Sequence, residues 1–162
     1  MMNIKKITIL FVSFLLLTAG FAGASENLTI NGSTTVLPIA QKAAEEYMKE
    51  HDVNITVMGT GSGNGIAALI SGTTDIADAS RFIKEGEVKN AMDNGVYPVP
   101  FRVAKDSIAV VVNEENPVDA LSLNQIKGIY TGEIKNWSEV GGNDKEIVVV
   151  SRDTSSGTYA VF

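Results

Sequence analysis

Three times in this chain an extended apolar run gives way to a cluster of glycine and hydroxyl residues and then to residues suited to open a helix. The clusters are "GSTT" at Gly32 to Thr35, "GTGSGNG" at Gly59 to Gly65 and "TSSGT" at Thr154 to Thr158. This succession restricts the fold more than any other feature. A strand that passes into a helix and then into another strand builds a parallel or mixed sheet covered by helices, an α/β class. The rest of the chain is read the same way. "NLTING" predicts a short strand, "VLPIAQKAAEEYMKEH" a helix with Pro38 near its start, "VNITVMG" an alternating strand and "GIAALISG" a short helix. "TDIADAS" returns as a strand, and "EGEVKNAMDNG" is a polar helix ending at Gly95. "VYPVPFRVA" and "DSIAVVVNEENP" read as extended runs broken by prolines.

The first 24 residues are set aside from that fold. Lys5 and Lys6 precede an apolar stretch from Ile7 to Leu17, and the segment closes on Ala22-Gly23-Ala24, an A-x-A cleavage pattern. The stretch is shorter than the roughly 20 residues that span a bilayer. A signal peptide over 1–24, a mature chain from Ser25, export to the periplasm or cell-surface space and no stable membrane insertion after cleavage are the expectations. Loss of the two lysines takes the formal charge from −6 to −8, a surface unsuited to nucleic acid. With 44% hydrophobic residues the chain can still form a core, and with no cysteine that core has to hold by packing without disulfides.

The glycine and hydroxyl clusters suit noncovalent capture of an oxyanion. A helix start leaves N–H groups without partners and carries partial positive charge, hydroxyls there can donate outward, and glycine lets an anion come close to the backbone. Each cluster alone is also what a simple helix cap looks like. Arg152, four residues before Ser156, adds a planar fork that matches two oxygens of a tetrahedral anion, although it could equally pair with Asp153 on the surface. Catalysis has less support. His51, the one histidine, falls at the polar end of a helix, and no GxSxG elbow or GxxxxGK loop occurs. A dinucleotide fingerprint over Gly59 and Gly61 fails because Asn64 stands in the third glycine position. The expectation is a protein that is not an enzyme and uses no cofactor or metal.

"NGSTTVLPIAQKAAEEY", "GTGSGNGIAALISGTTDIADASR", "LSLNQIKGIYTGEIKNWSEVGG" and "SRDTSSGTYAVF", in this order from about Leu28 to the last residue, resemble the phosphate-binding proteins of Pst-type ABC importers. The resemblance implies a two-lobed periplasmic-binding-protein (type II) architecture that closes over phosphate and hands it to a membrane permease. It implies a first lobe over 25–104 and only the opening part of a second over 105–162, hence a chain truncated relative to the family. Carried over by position, it implies phosphate contacts from Thr34 and Thr35 through a hydroxyl and a backbone N–H, from Ser62, and from Arg152 with Ser156, Gly157 and Thr158. Many members place a proton-accepting aspartate where this chain has Ser80 followed by Arg81. Ser80 is therefore the expected contact, with Asp78 as an alternative acceptor. Inorganic phosphate is the first choice of ligand, ahead of sulfate or another tetrahedral oxyanion. A secreted interaction domain that no longer binds ligand is the reading from a different class.

Overall fold

A computed structural model describes residues 25–162 of the chain; the expected signal peptide lies outside the described residues. Three parallel strands form the sheet: β1 (Glu26–Gly32), β2 (Val53–Gly59) and β3 (Ile76–Asp78), in the order β2-β1-β3. β1 is central because both of its edges are paired, Ile30 opposite Val57 on one side and Ile76 on the other. "TDIADAS" supplies only the three residues of β3, since the chain turns away after Asp78.

Helices α1 (Leu37–Glu50) and α2 (Ser62–Ile70) make the crossovers. Pro38 occupies the first turn of α1, where its missing N–H leaves no helical bond unmade. α1 ends at His51, whose ring stacks on Tyr47 with centroids 3.8 Å apart and whose Nδ1 lies 3.0 Å from the Tyr47 carbonyl oxygen. α2 packs on β1 and β3. A side chain at Gly65 would run into the Asn31 carbonyl, so glycine at this position is what permits helix and strand to meet so closely.

α3 (Glu85–Asp93) follows and closes at Gly95, which has φ of +77°, a left-handed conformation that suits glycine. α4 (Leu123–Thr131) opens with a reciprocal cap, Gln125 N–H donating to Ser122 Oγ and Ser122 N–H to Gln125 Oε1. A 3-10 turn over Trp137–Val140 and the short helix α5 (Gly157–Val161) complete the elements. The two extended runs between α3 and α4 join no sheet. Their apolar side chains stand in solvent, Phe101 84% and Val111 88% exposed, because neither run has a neighbouring strand to form a ladder. Among the described residues no helix is long and apolar enough to cross a membrane.

Candidate functional site

The three clusters meet at the carboxyl end of the sheet, where the parallel strands β1 and β2 deliver the first two and the third packs against them. After β1, Ser33 is buried, and its hydroxyl accepts the N–H groups of Thr35 (3.1 Å) and Val36 (3.3 Å) while its carbonyl accepts from Leu37. Ser33 thus ties off the turn into α1 and leaves the Thr34 and Thr35 side chains exposed. The Thr35 N–H, one of the donors expected to face a ligand, is engaged internally by Ser33.

After β2, the chain turns at Gly61, with φ of +107°. Its N–H donates to the Gly32 carbonyl at 2.6 Å, which fastens the second cluster to the first. Ser62, the first residue of α2, is fully buried. It accepts the Ser80 N–H at 3.1 Å and shares a hydrogen bond with the Ser80 hydroxyl at 3.3 Å. The two serines expected as separate contacts therefore form one hydroxyl pair.

The third cluster docks on both. Arg152 Nη2 donates to Thr34 Oγ1 at 3.1 Å. It does so in preference to pairing with Asp153, which accepts instead from the Ser155 N–H (3.0 Å) and the Ser155 hydroxyl. Those two donors, the hydroxyl first, hold the Asp153 carboxyl below the usual carboxylate range. The Gly63 N–H donates to the Ser155 carbonyl at 2.9 Å, and Ser155 fills the space a side chain would take at Gly61. Ser156 is buried, and its hydroxyl accepts the Tyr159 N–H at 3.4 Å, a helix cap. Gly157 presses its backbone against the Ser62 and Ser80 hydroxyls so closely that a Cβ would overlap both. Thr158, half-buried, lines a groove with Arg152, Tyr130 and Phe162.

Charge around this cluster is unevenly settled. The guanidinium of Arg81 is nearly buried and grips Glu87 with both arms, Nη1 to Oε2 at 2.8 Å and Nη2 to Oε1 at 2.7 Å. These hydrogen bonds are the largest influence holding Glu87 below the usual carboxylate range. Asp78, at the end of β3, is different: both carboxylate oxygens are shut off from solvent and neither has a hydrogen-bond partner. Burial pushes its carboxyl above the usual range.

The site residues expected from sequence thus come together, except that Thr158 sits on the adjoining groove. Three contributors, all inside the quoted clusters, were not singled out there: Ser33, Gly63 and Ser155. Ser33 could have been found as the hydroxyl residue directly before the turn into α1, where an oxygen can accept the next free N–H groups. The dependence of Gly61 and Gly63 on Ser155 has no local signal.

The chain is similar to known proteins in sequence and fold. Residues 18–162 match the PBP superfamily domain. The phosphate-binding protein PstS of Staphylococcus epidermidis is 41% identical over 135 residues, covering 81% of this chain and 42% of its own length. That of Staphylococcus aureus is 40% identical over 136 residues, covering 82% of this chain and 42% of its own. An ABC-type phosphate transport receptor from Vibrio cholerae superposes with a TM-score of 0.66 at 42% identity, over 82% of this chain and 52% of the receptor. A substrate-binding protein from Clostridium perfringens with bound phosphate superposes with a TM-score of 0.73 at 42% identity, over 83% and 54%. The chain spans less than half the length of these curated relatives and about half that of the two solved proteins. With its turns, its parallel sheet and all but its first 17 residues matched, the chain belongs to the PBP superfamily.

Proposed function

We propose that this chain captures inorganic phosphate as the exported, nonenzymatic solute-binding component of an ABC importer and presents it to a membrane permease. One observation carries the reading: three glycine and hydroxyl turns and an arginine, spread from Gly32 to Thr158, converge at one end of the sheet. Relatives about 40% identical are phosphate-binding proteins, and a solved protein of similar fold holds phosphate. In this reading Arg152 supplies the full charge and Thr34 the first hydroxyl. Ser62 and Ser80 donate from the pair they now form, and Thr35, Ser156, Gly157 and Thr158 complete the shell. The hydroxyls of Thr34, Ser62, Ser80 and Ser156 engage a guanidinium, one another or backbone N–H groups. They are set to bind an anion, since a nucleophile would need a base at hydrogen-bond distance.

The reading also includes export by residues 1–24 and a division into a first lobe over 25–104 and a second over 105–162. A ligand between them would take over the Arg152 hydrogen bond to Thr34, giving the guanidinium an anionic acceptor in place of a neutral hydroxyl. Calorimetric titration of the mature chain with inorganic phosphate is the test, run alone and with a polypeptide supplying the part of the relatives' length that this chain does not match. Saturable binding in either arm is expected, and binding in neither refutes the reading.

A further inference from the structure

Ser80 belongs to no helix or strand. It falls in the segment 79–84 that joins β3 to α3, and its N–H donates to the buried Ser62 hydroxyl at 3.1 Å. A donor on such a segment is only as well placed as the segment itself. From Ser80 to Ile83 no main-chain group bonds to another main-chain group among the described residues; the first to do so is the Lys84 carbonyl, which accepts from the Val88 N–H.

The turn is closed instead by the side chain of Arg81. Its Nη1 donates to the Phe82 carbonyl at 2.9 Å and to Glu87 Oε2 at 2.8 Å, and its Nη2 donates to Glu87 Oε1 at 2.7 Å. Glu87, in the first turn of α3, also accepts the Lys84 N–H at 2.8 Å. The arginine side chain is 7% exposed, and Nη2 comes within 3.8 Å of the place a Cβ would take at Gly63. It thus stands beside the start of α2, where Ser62 meets Ser80 and Gly63 donates to Ser155. Both terminal nitrogens are spent within the protein, so this arginine is not a second fork for an anion. Stability alone does not account for the pair either, since apolar side chains of similar volume can fill such a place with no loss. What they lack is direction: a two-pronged contact between guanidinium and carboxylate fixes angle as well as distance.

We propose that Arg81 and Glu87 are positioning residues of the anion site: their two-pronged contact fixes the turn between β3 and α3 so that the Ser80 N–H and hydroxyl stay seated against Ser62. The inference rests on the phosphate-capturing reading. Neither residue meets the ligand, and both act only through Ser80.

The test replaces the pair with apolar side chains, Arg81→Met together with Glu87→Met, both with Ser80 present and on a Ser80→Ala background. The two charges leave together, so the net charge beside the site does not change. Calorimetric titration with inorganic phosphate, in whichever arm of the titration above shows binding, reads the affinity. The paired substitution should weaken it about five- to tenfold when Ser80 is present and by less than about twofold on Ser80→Ala, where nothing is left to position. Arg81→Lys with Glu87 intact should keep only part of the wild-type affinity, since an ammonium lacks the fork. In the ligand-free protein, hydrogen exchange at the Ser80 N–H should be about tenfold faster or more in the paired variant, with that of Ile30 in the central strand unchanged. The same variant should melt close to the wild type. Unchanged phosphate affinity or unchanged Ser80 exchange in the paired variant overturns the inference, and so does an equal loss of affinity on both backgrounds, which would mean that the pair does not act through Ser80. A paired variant that unfolds overturns it as well, by showing that the pair carries the fold. In each of these cases binding by the wild type leaves phosphate capture standing, whereas a wild type that binds no phosphate in either arm overturns both.

Discussion

Replacing Gly157 with alanine adds one methyl group at the junction of the second and third clusters. The methyl carbon would sit 2.5 Å from Ser62 Oγ and 3.2 Å from Ser62 Cβ, and nearer still to Ser80 Oγ. Relief to ordinary carbon–oxygen separation needs a displacement of roughly 1 Å. The serine pair has little room to give way: Ser62 is fully buried at the start of α2, and rotating its hydroxyl aside would strand the Ser80 N–H that it accepts. Gly157 is not among the positive-φ glycines, so alanine suits the backbone and the whole effect is steric. Overpacking of this kind costs about 1–3 kcal/mol. α5 is a short helix of five residues, whereas α2 is seated on β1 and β3, so the strain should appear as separation of residues 151–161 from the first two clusters. If a bound anion draws the same elements together, phosphate affinity should fall roughly 5- to 150-fold. Calorimetry reads the affinity, and a thermal melt checks that the three-stranded unit is intact. Wild-type affinity in Gly157→Ala would refute the argument, because it would mean that Gly157 and the serine pair do not approach each other in the bound form.

Other perturbations probe the remaining contacts. Arg152→Ala should weaken phosphate binding by about 2–5 kcal/mol and Arg152→Lys should recover only part of it, since an ammonium lacks the planar fork; titration of both variants checks this. Glu87→Gln should lower stability at neutral pH by about 2–4 kcal/mol, because it leaves the nearly buried Arg81 guanidinium without its counter-charge. The Glu87 carboxyl is depressed in the fold, so its contribution is complete above the ordinary glutamate pKa and is lost as pH falls through the lower folded value. Chemical denaturation across that range should therefore show wild type and variant converging in acid.

The parts of this protein legible in its sequence are those set by neighbours along the chain. Glycine and hydroxyl residues between a strand and a helix have a local reason to be there, and all three clusters fall at helix starts. Pro38 in the first turn of α1 and Gly95 closing α3 were legible for the same reason, since each restricts or frees its own backbone. The extended runs after α3 show the limit of such reasoning. Alternating apolar residues report a preference for extended backbone, but joining a sheet requires a strand alongside, and neither run has one.

What the tertiary structure decided is which groups meet. Ser62 and Ser80 are 18 residues apart and form one hydroxyl pair, and Arg152 reaches Thr34 across 118 residues when Asp153 was the nearer candidate. In the sequence Asp78 was an alternative acceptor to Ser80, and only packing showed its carboxyl buried against Gly32 without a partner. Residue type and spacing determined that the chain carries glycine and hydroxyl residues at helix starts, because a cap is a contact over two or three residues. The parallel crossovers place the first two of those starts on one side of the sheet, and packing of the third cluster there determines which donor is spent within the protein and which acid goes unpaired.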